Sequence, residues 1–245
     1  MTTHTLFRTF FLVLLLASGP VGCDAKSRDG PETKVAPDPT STPAPAASAP
    51  AAPAPKSVTP SPAPPVALKV GDKLPDFTVK NTQNQDVAIA SLYAKQPIVL
   101  TMYRGGWCPY CVTNLKEWQD KLKQVTKLGA QVVAVSPESP AHVAETMSKG
   151  KLDYTVLSDS TGNASKAMGL NFTLDADTQS KYKGYGINLP EHNADGSWDL
   201  PHPATYVVDT TGIIRYVYVN EDYKTRANPD EVIAAVGLIG AVPGK

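Results

Sequence analysis

Residues Pro97–Cys111 read PIVLTMYRGGWCPYC. Pro97 to Tyr103 is a β-rich apolar run with the length and composition of a buried strand. Two glycines follow, which let the backbone turn tightly. Pro109 suits the first position of a helix, where its missing N–H costs nothing, so Cys108 falls at the helix N-terminus. From there Leu115, Trp118, Leu122 and Val125 recur at three- and four-residue spacing, one apolar face of a helix ending at Gly129. The segment is therefore strand, tight turn, helix, with two thiols at the turn. Ligands of an open α/β sheet bind outside the carboxyl ends of its strands, which is where this turn lies.

Elements can be placed outward from this point. Phe77–Val79 and Asp86–Ile89 read as a hairpin around the polar turn NTQNQ. Downstream, QVVAVS (131–136) is a second buried strand, SPAHVAETMSKG (139–150) a helix closing on Gly150, and YTVLSD (154–159) a third strand with a short helix through Ala167. TYVVDTTGIIRYVYV (205–219) is two strands joined by an Asp-Thr-Thr-Gly turn. NPDEVIAAVGLIG (228–240) is a closing helix that starts at Asn228 or Pro229. Strands alternating with helices imply a parallel core sheet covered on both faces, and the last hairpin adds antiparallel strands. The order matches an α/β, thioredoxin-like fold with an N-terminal hairpin extension. Residues Asn171–Leu200 are an insertion before the final hairpin, expected to form a short helix and a loop near the thiols.

The rest of the 245 residues divides by composition. A single basic residue, Arg8, precedes the apolar run Phe10–Ala17, which is shorter than the roughly 20 residues of a membrane-spanning helix and fits a signal-peptide core. Cys23 follows GPVG, where bacterial lipoprotein signals carry their acylated cysteine, although Pro20 stands where such signals usually have Leu. Cys108 and Cys111 form a natural pair and leave the third cysteine, Cys23, over, which favours lipidation. The alternative is cleavage nearby by an ordinary signal peptidase. Between Asp24 and Val66 lie twelve of the 23 prolines, mixed with Ala, Ser and Thr. Such a stretch lacks the apolar side chains to offset ordering entropy and reads as a disordered tether, able to reach on the order of 100 Å. The expected organisation is a signal peptide at 1–23, a linker at 24–66 and one redox domain at 67–245. Lys plus Arg and Asp plus Glu each number 23, so the formal net charge is zero. With no basic run, nothing in the sequence suggests nucleic acid.

Cys108 at a helix N-terminus faces unpaired N–H groups and the positive end of the helix dipole, which lower a thiol pKa and favour the nucleophilic thiolate. Cys111 lies one turn on, on the same face, where it can close a disulfide on any adduct at Cys108. A static disulfide is a weak alternative, because so small a loop adds little stability. Structural zinc normally needs four ligands, and one Cys pair with His4, His142, His192 and His202 supplies no obvious set. The reading includes no metal and no cofactor.

These residues carry a family resemblance. VGDKLPDFTV, RGGWCPYC, VVAVSPESP, LDYTVLSDSTGNASKAMGL and HPATYVVDTTGIIRYVYVNEDYKTRANPDEVIAAV occur in the order found in the alkyl hydroperoxide reductase/thiol-specific antioxidant family. The whole domain resembles that peroxiredoxin-like branch of the thioredoxin superfamily, in a subgroup with a CxxC site. The resemblance implies a peroxidatic Cys108 that becomes a sulfenic acid, a resolving Cys111, and resetting by thioredoxin or another dithiol reductant. Pro203 matches the proline that faces the cysteine pair in thioredoxin-like proteins. The chain also departs from the pattern. Thr101 and Gly105 hold the outer places of the usual Pro-x-x-x-Thr/Ser-x-x-Cys, and Pro203 stands where an Arg is usual. Arg104 is the candidate replacement guanidinium, with a solvated loop charge as the alternative. Tyr103 and Trp107 are read as substrate-site walls. CPYC, Trp107 and Pro203 equally suit a thiol-disulfide oxidoreductase acting on partner proteins. A third reading, copper held by the Cys pair and His202, competes with His202 as an ordinary hairpin-edge residue. The expected location is the cell envelope, periplasm-facing, on a lipid anchor at Cys23.

Overall fold

The computed structural model describes residues 68–240. The expected signal peptide, Cys23 and the whole of the linker lie outside the described residues.

A seven-stranded mixed sheet organises the domain, in the order β2-β1-β5-β4-β3-β8-β9. Its centre is the strand anticipated at the thiol turn, β3 (Ile98–Met102), with all five residues buried. It runs parallel to β4 (Gln131–Ser136), which runs parallel to β5 (Thr155–Ser158). On its other side it pairs antiparallel with β8 (Ala204–Val208), which turns back into β9 (Ile214–Val219). The N-terminal hairpin, β1 (Thr78–Lys80) and β2 (Asp86–Ala88), joins the far edge through a single antiparallel pairing, Lys80 with Ser158.

Side chains alternate across a strand, and here both faces are covered. Val99 of β3, Tyr103 just after it, and Val132 and Ala134 of β4 pack with Trp118, Val143 and Val232. These come from α2 (Pro109–Lys127), α3 (Pro140–Gly150) and α7 (Pro229–Gly240). Ile98, Leu100 and Met102, with Val133 and Val135, face the opposite way onto Ile89, Tyr93, Ala164 and Met168. That side is covered by α1 (Ile89–Tyr93) and by α4 (Asn163–Ala167) with the turn after it. Helix α2 keeps its predicted start and apolar face. It ends at Lys127, two residues before Gly129, whose φ of +75° suits the chain reversal.

Two elements differ from expectation. Ile89 does not prolong a strand; it opens the one-turn helix α1, because burying Ile89 and Tyr93 together needs helical spacing. The 171–200 insertion contains more than a helix and a loop. It holds β6 (Asn171–Thr173), α5 (Ala176–Gly184), α6 (Leu189–His192) and β7 (Asp199–Pro201), with β6 and β7 paired antiparallel. It has its own small core of Leu174, Tyr182, Leu189 and Leu200, against which Trp107 packs. Its ends are far apart in sequence and its strands are three residues long, so periodicity gives no sign of it.

Candidate active site

The cysteines sit where the strand–turn–helix reading placed them. Cys108 is the N-cap of α2, in extended backbone geometry, and Pro109 is the first helical residue. The backbone N–H groups of Cys111 and Val112 donate to the Cys108 carbonyl at 3.0 and 3.1 Å. Both thiols are buried and free, Cys108 2% exposed and Cys111 fully enclosed. The glycines upstream are there for lack of room. A Cβ on Gly105 would lie 2.2 Å from Trp107 Nε1, and one on Gly106 2.0 Å from Thr146 Oγ1.

The two thiols influence each other's ionisation in opposite directions. The hydrogen bond of Cys108 to Cys111 and burial push the Cys108 thiol up. Burial opposes ionisation of Cys111 as well, but the Cys108 thiol and the charges of Arg226 and Arg104 outweigh it and bring Cys111 down to about 5. A helix N-terminus by itself would place the charge on Cys108 alone. The structure divides it, because a second cation, Arg226, donates from Nη2 to the Cys111 sulfur at 3.3 Å.

Arg104 is no solvated loop charge. It is 2% exposed, and its guanidinium carbon stands 4.3 Å from the Tyr223 ring centre, 5.3 Å from Trp107 and 5.7 Å from Tyr182. Its Nη2 donates to the Tyr182 hydroxyl. Among the described residues no carboxylate pairs with it. A buried cation needs a counter-charge, and the nearby thiolate supplies it; Arg104 lowers both thiols in return.

Gly105 holds the place of the usual peroxide-orienting hydroxyl and brings none, and Thr101, in the place of the usual Pro, is spent on the sheet. Its Oγ1 lies 3.3 Å from the Ala204 carbonyl and 3.4 Å from Thr205 Oγ1. Pro203 is buried, one residue beyond the Met102–Ala204 pairing, at the Tyr103 end of β3. Tyr103 is part of the core that also holds both cysteines. Trp107 stands edge-on to Tyr182, 6.0 Å between ring centres, and tilted to His192 at 6.4 Å. His202 stacks on Phe172 at 4.5 Å. Among the described residues no three His, Cys, Asp or Glu side chains group as a metal site.

Four residues here were not singled out from sequence: Tyr182, Tyr223, Arg226 and Glu138. Glu138 follows the carboxyl end of β4, where a sheet of this kind places functional groups, and that was the available signal. It is 2% exposed. Burial pushes its carboxyl up to about 7, against a hydrogen bond from the Gly106 backbone N–H. It also lines a cavity of about 550 Å³ together with Trp107, His142, Thr146, Leu152 and His192. His142 Nδ1 donates to the His192 carbonyl at 3.2 Å and so fixes α3 against the insertion.

A CxxC pair at the head of the helix that follows the central strand of this mixed sheet defines a thioredoxin-like redoxin. The chain belongs to the AhpC/TSA family, whose profile matches residues 70–217. A putative chloroplastic peroxiredoxin Q of Oryza sativa subsp. indica is 26% identical over 151 residues, 62% of this chain and 59% of that one. Chloroplastic peroxiredoxin Q of Arabidopsis thaliana is 28% identical over 163 residues, 66% of this chain and 64% of that one. The chain thus spans about three-fifths of the length of the curated relatives it matches. Peroxidoxin BcpB of Mycobacterium tuberculosis superposes with a TM-score of 0.57 at 21% identity, covering 72% of this chain and 99% of that one. A peroxiredoxin-like protein of Aquifex aeolicus gives 0.57 at 19% identity, covering 72% and 90%. These superpositions establish the fold.

Proposed function

We propose that this protein is a thiol peroxidase of the cell envelope that reduces hydroperoxides through Cys108 and Cys111. The observation that carries the reading is the pair itself: two free, buried thiols at the N-terminus of α2, beside the buried Arg104. The Cys108 proton passes across the sulfur pair to Cys111. That leaves a Cys108 thiolate which accepts the Cys111 backbone N–H and feels the charge of Arg104. This thiolate attacks one peroxide oxygen; the O–O bond breaks, and the departing alkoxide or hydroxide takes the proton from Cys111. Cys108 is now a sulfenic acid. The Cys111 thiolate attacks its sulfur, the S–O bond breaks, and the hydroxide takes a solvent proton and leaves as water. The pair has lost two electrons and become a disulfide, which a dithiol reductant of thioredoxin type resets. Membership of the AhpC/TSA family and sequence relatives named peroxiredoxin Q support the substrate class. The apolar run Phe10–Ala17 and Cys23 support export and a lipid anchor.

One observation favours a second reading, a thiol-disulfide oxidoreductase acting on proteins. Cys108 caps α2 and Cys111 lies in its first turn, so the pair can exchange a disulfide with a partner without a further cysteine. Stopped-flow mixing of the reduced chain with stoichiometric hydrogen peroxide, followed by tryptophan fluorescence, separates the two. Oxidation far faster than a free thiol, abolished in C108S, is the expected result. A rate no better than a free thiol's refutes the peroxidase reading and leaves protein disulfide exchange.

A further inference from the structure

The loop between β9 and α7 brings a cation to the second thiol from 115 residues away in sequence. Arg226 is half-buried. Its Nη1 donates to the carbonyls of Tyr223 and Thr225 in its own loop, and its Nη2 is thereby aimed at Cys111 Sγ, 3.3 Å away. The loop is itself knitted. Asn220 Oδ1 accepts the Asp222 N–H, Asp222 Oδ1 accepts the Lys224 N–H, and the Asp222 carbonyl accepts the Thr225 N–H. Among the described residues no carboxylate forms an ion pair with Arg226, so its charge is not cancelled locally. The other titratable or charged groups acting on Cys111 are Cys108 and Arg104, with Glu138 and Tyr103 coupled to it by charge. Arg104 acts on both sulfurs, whereas Arg226 is hydrogen-bonded to Cys111.

We propose that Arg226 is the positioning residue of the resolving thiol, holding negative charge on Cys111 in both halves of the cycle. In the oxidative half, charge on Cys111 makes it the nucleophile toward the Cys108 sulfenic sulfur. In the reductive half, a thiolate of the dithiol reductant attacks the Cys108 sulfur and the Cys108–Cys111 bond breaks. Cys111 takes the electron pair and leaves as a thiolate held by the guanidinium. The second thiol of the reductant then displaces Cys108 from the mixed disulfide, and the reductant carries away the disulfide. A leaving thiol of low pKa departs faster, so the loop sets which sulfur is attacked and which is released. The inference rests on the redox-pair reading above, for peroxide and protein substrates alike.

The test is a titration that involves neither substrate. All variants carry C23S and C108S, so that Cys111 is the only thiol in the chain. Thiolate absorbance near 240 nm is followed against pH for Arg226, R226Q, R226M and R226K. A charge-assisted hydrogen bond of this kind moves the midpoint by about one pH unit or more. The expected result is a rise of that size in R226Q and R226M, and recovery of most of it in R226K. In chains with C23S alone, reduction of the oxidised pair by dithiothreitol is expected to be slower in R226Q than in R226K. A guanidinium that only ties its loop together would leave the titration unmoved, or would abolish folding in both neutral variants, as read by circular dichroism. Either result overturns the proposal and leaves the peroxidase reading, tested by the peroxide rate, untouched.

Discussion

Replacing Glu138 with Gln tests whether the buried carboxyl under the RGGW turn carries the cost that its environment implies. Its folded value is about 7 and the ordinary one 4.5. Between those limits the folded protein retains a proton that the unfolded chain has released. Stability must therefore fall as pH rises through that window, and stay level below and above it. At about 1.4 kcal/mol per pH unit, keeping the carboxylate buried at pH 8 costs the folded state roughly 3 kcal/mol. Gln keeps an oxygen to accept the Gly106 N–H but has no charge to bury. Urea unfolding of reduced E138Q and the parent chain, followed by the fluorescence of Trp107, Trp118 and Trp198, is the assay. From pH 4.5 to pH 8, E138Q should gain roughly 3 kcal/mol relative to the parent. In thermal unfolding that is about 6 to 12 °C for a domain of this size. Oxidising the pair removes the Cys111 charge that helps to hold Glu138 up, so the gain should shrink in the disulfide form. Parallel pH profiles for E138Q and the parent would refute the reasoning, because they would mean that Glu138 ionises as freely in the folded protein as in water.

Y182F removes the hydroxyl that accepts from Arg104. A hydrogen bond to a charged group contributes about 1.5–3 kcal/mol, so the stopped-flow peroxide rate should fall roughly tenfold to a hundredfold while the fold is retained. In G106A the new Cβ meets Thr146 Oγ1 at 2.0 Å and its Cγ2 at 3.2 Å; overpacking of this kind costs about 1–3 kcal/mol. T146A removes both atoms, so G106A/T146A should recover most of the loss in a double-mutant cycle of urea unfolding. In D209N the hairpin turn loses a charge. Burial opposes ionisation of Asp209, but bonds from Thr211, Ile213 and Arg215 outweigh it and hold its carboxyl below the ordinary 3.8. The variant should lose about 2 kcal/mol at pH 7. That loss should vanish in pH-dependent unfolding as the pH falls through the lowered value, because Asp209 is then protonated in the parent too.

Much of this molecule is local and is legible in the sequence. The run Ile98–Met102, the glycine turn and Pro109 are near neighbours in the chain, and their conformations follow from residue type. The 3.6-residue repeat of Leu115, Trp118, Leu122 and Val125 names the buried face of α2 before any partner is known. The thiol pair, its place at a strand's carboxyl end and the order of the sheet elements followed from such signals. The small β6–β7 sheet and the helix at Ile89 did not, because three-residue strands and one-turn helices are too short to show a period.

The charge balance of the site belongs to the tertiary structure. Tyr182 reaches Arg104 across 78 residues and Arg226 reaches Cys111 across 115. Glu138 is an ordinary carboxylate until the turn, α3 and the insertion close over it. A thiol's pKa is set by every charge and every loss of water within a few ångströms, whatever their separation in sequence. The residues 97–111 alone therefore determine that two thiols meet at a helix end. Which sulfur carries the negative charge is decided with Arg226, a guanidinium that a distant loop brings to Cys111, and with burial that only the folded chain provides.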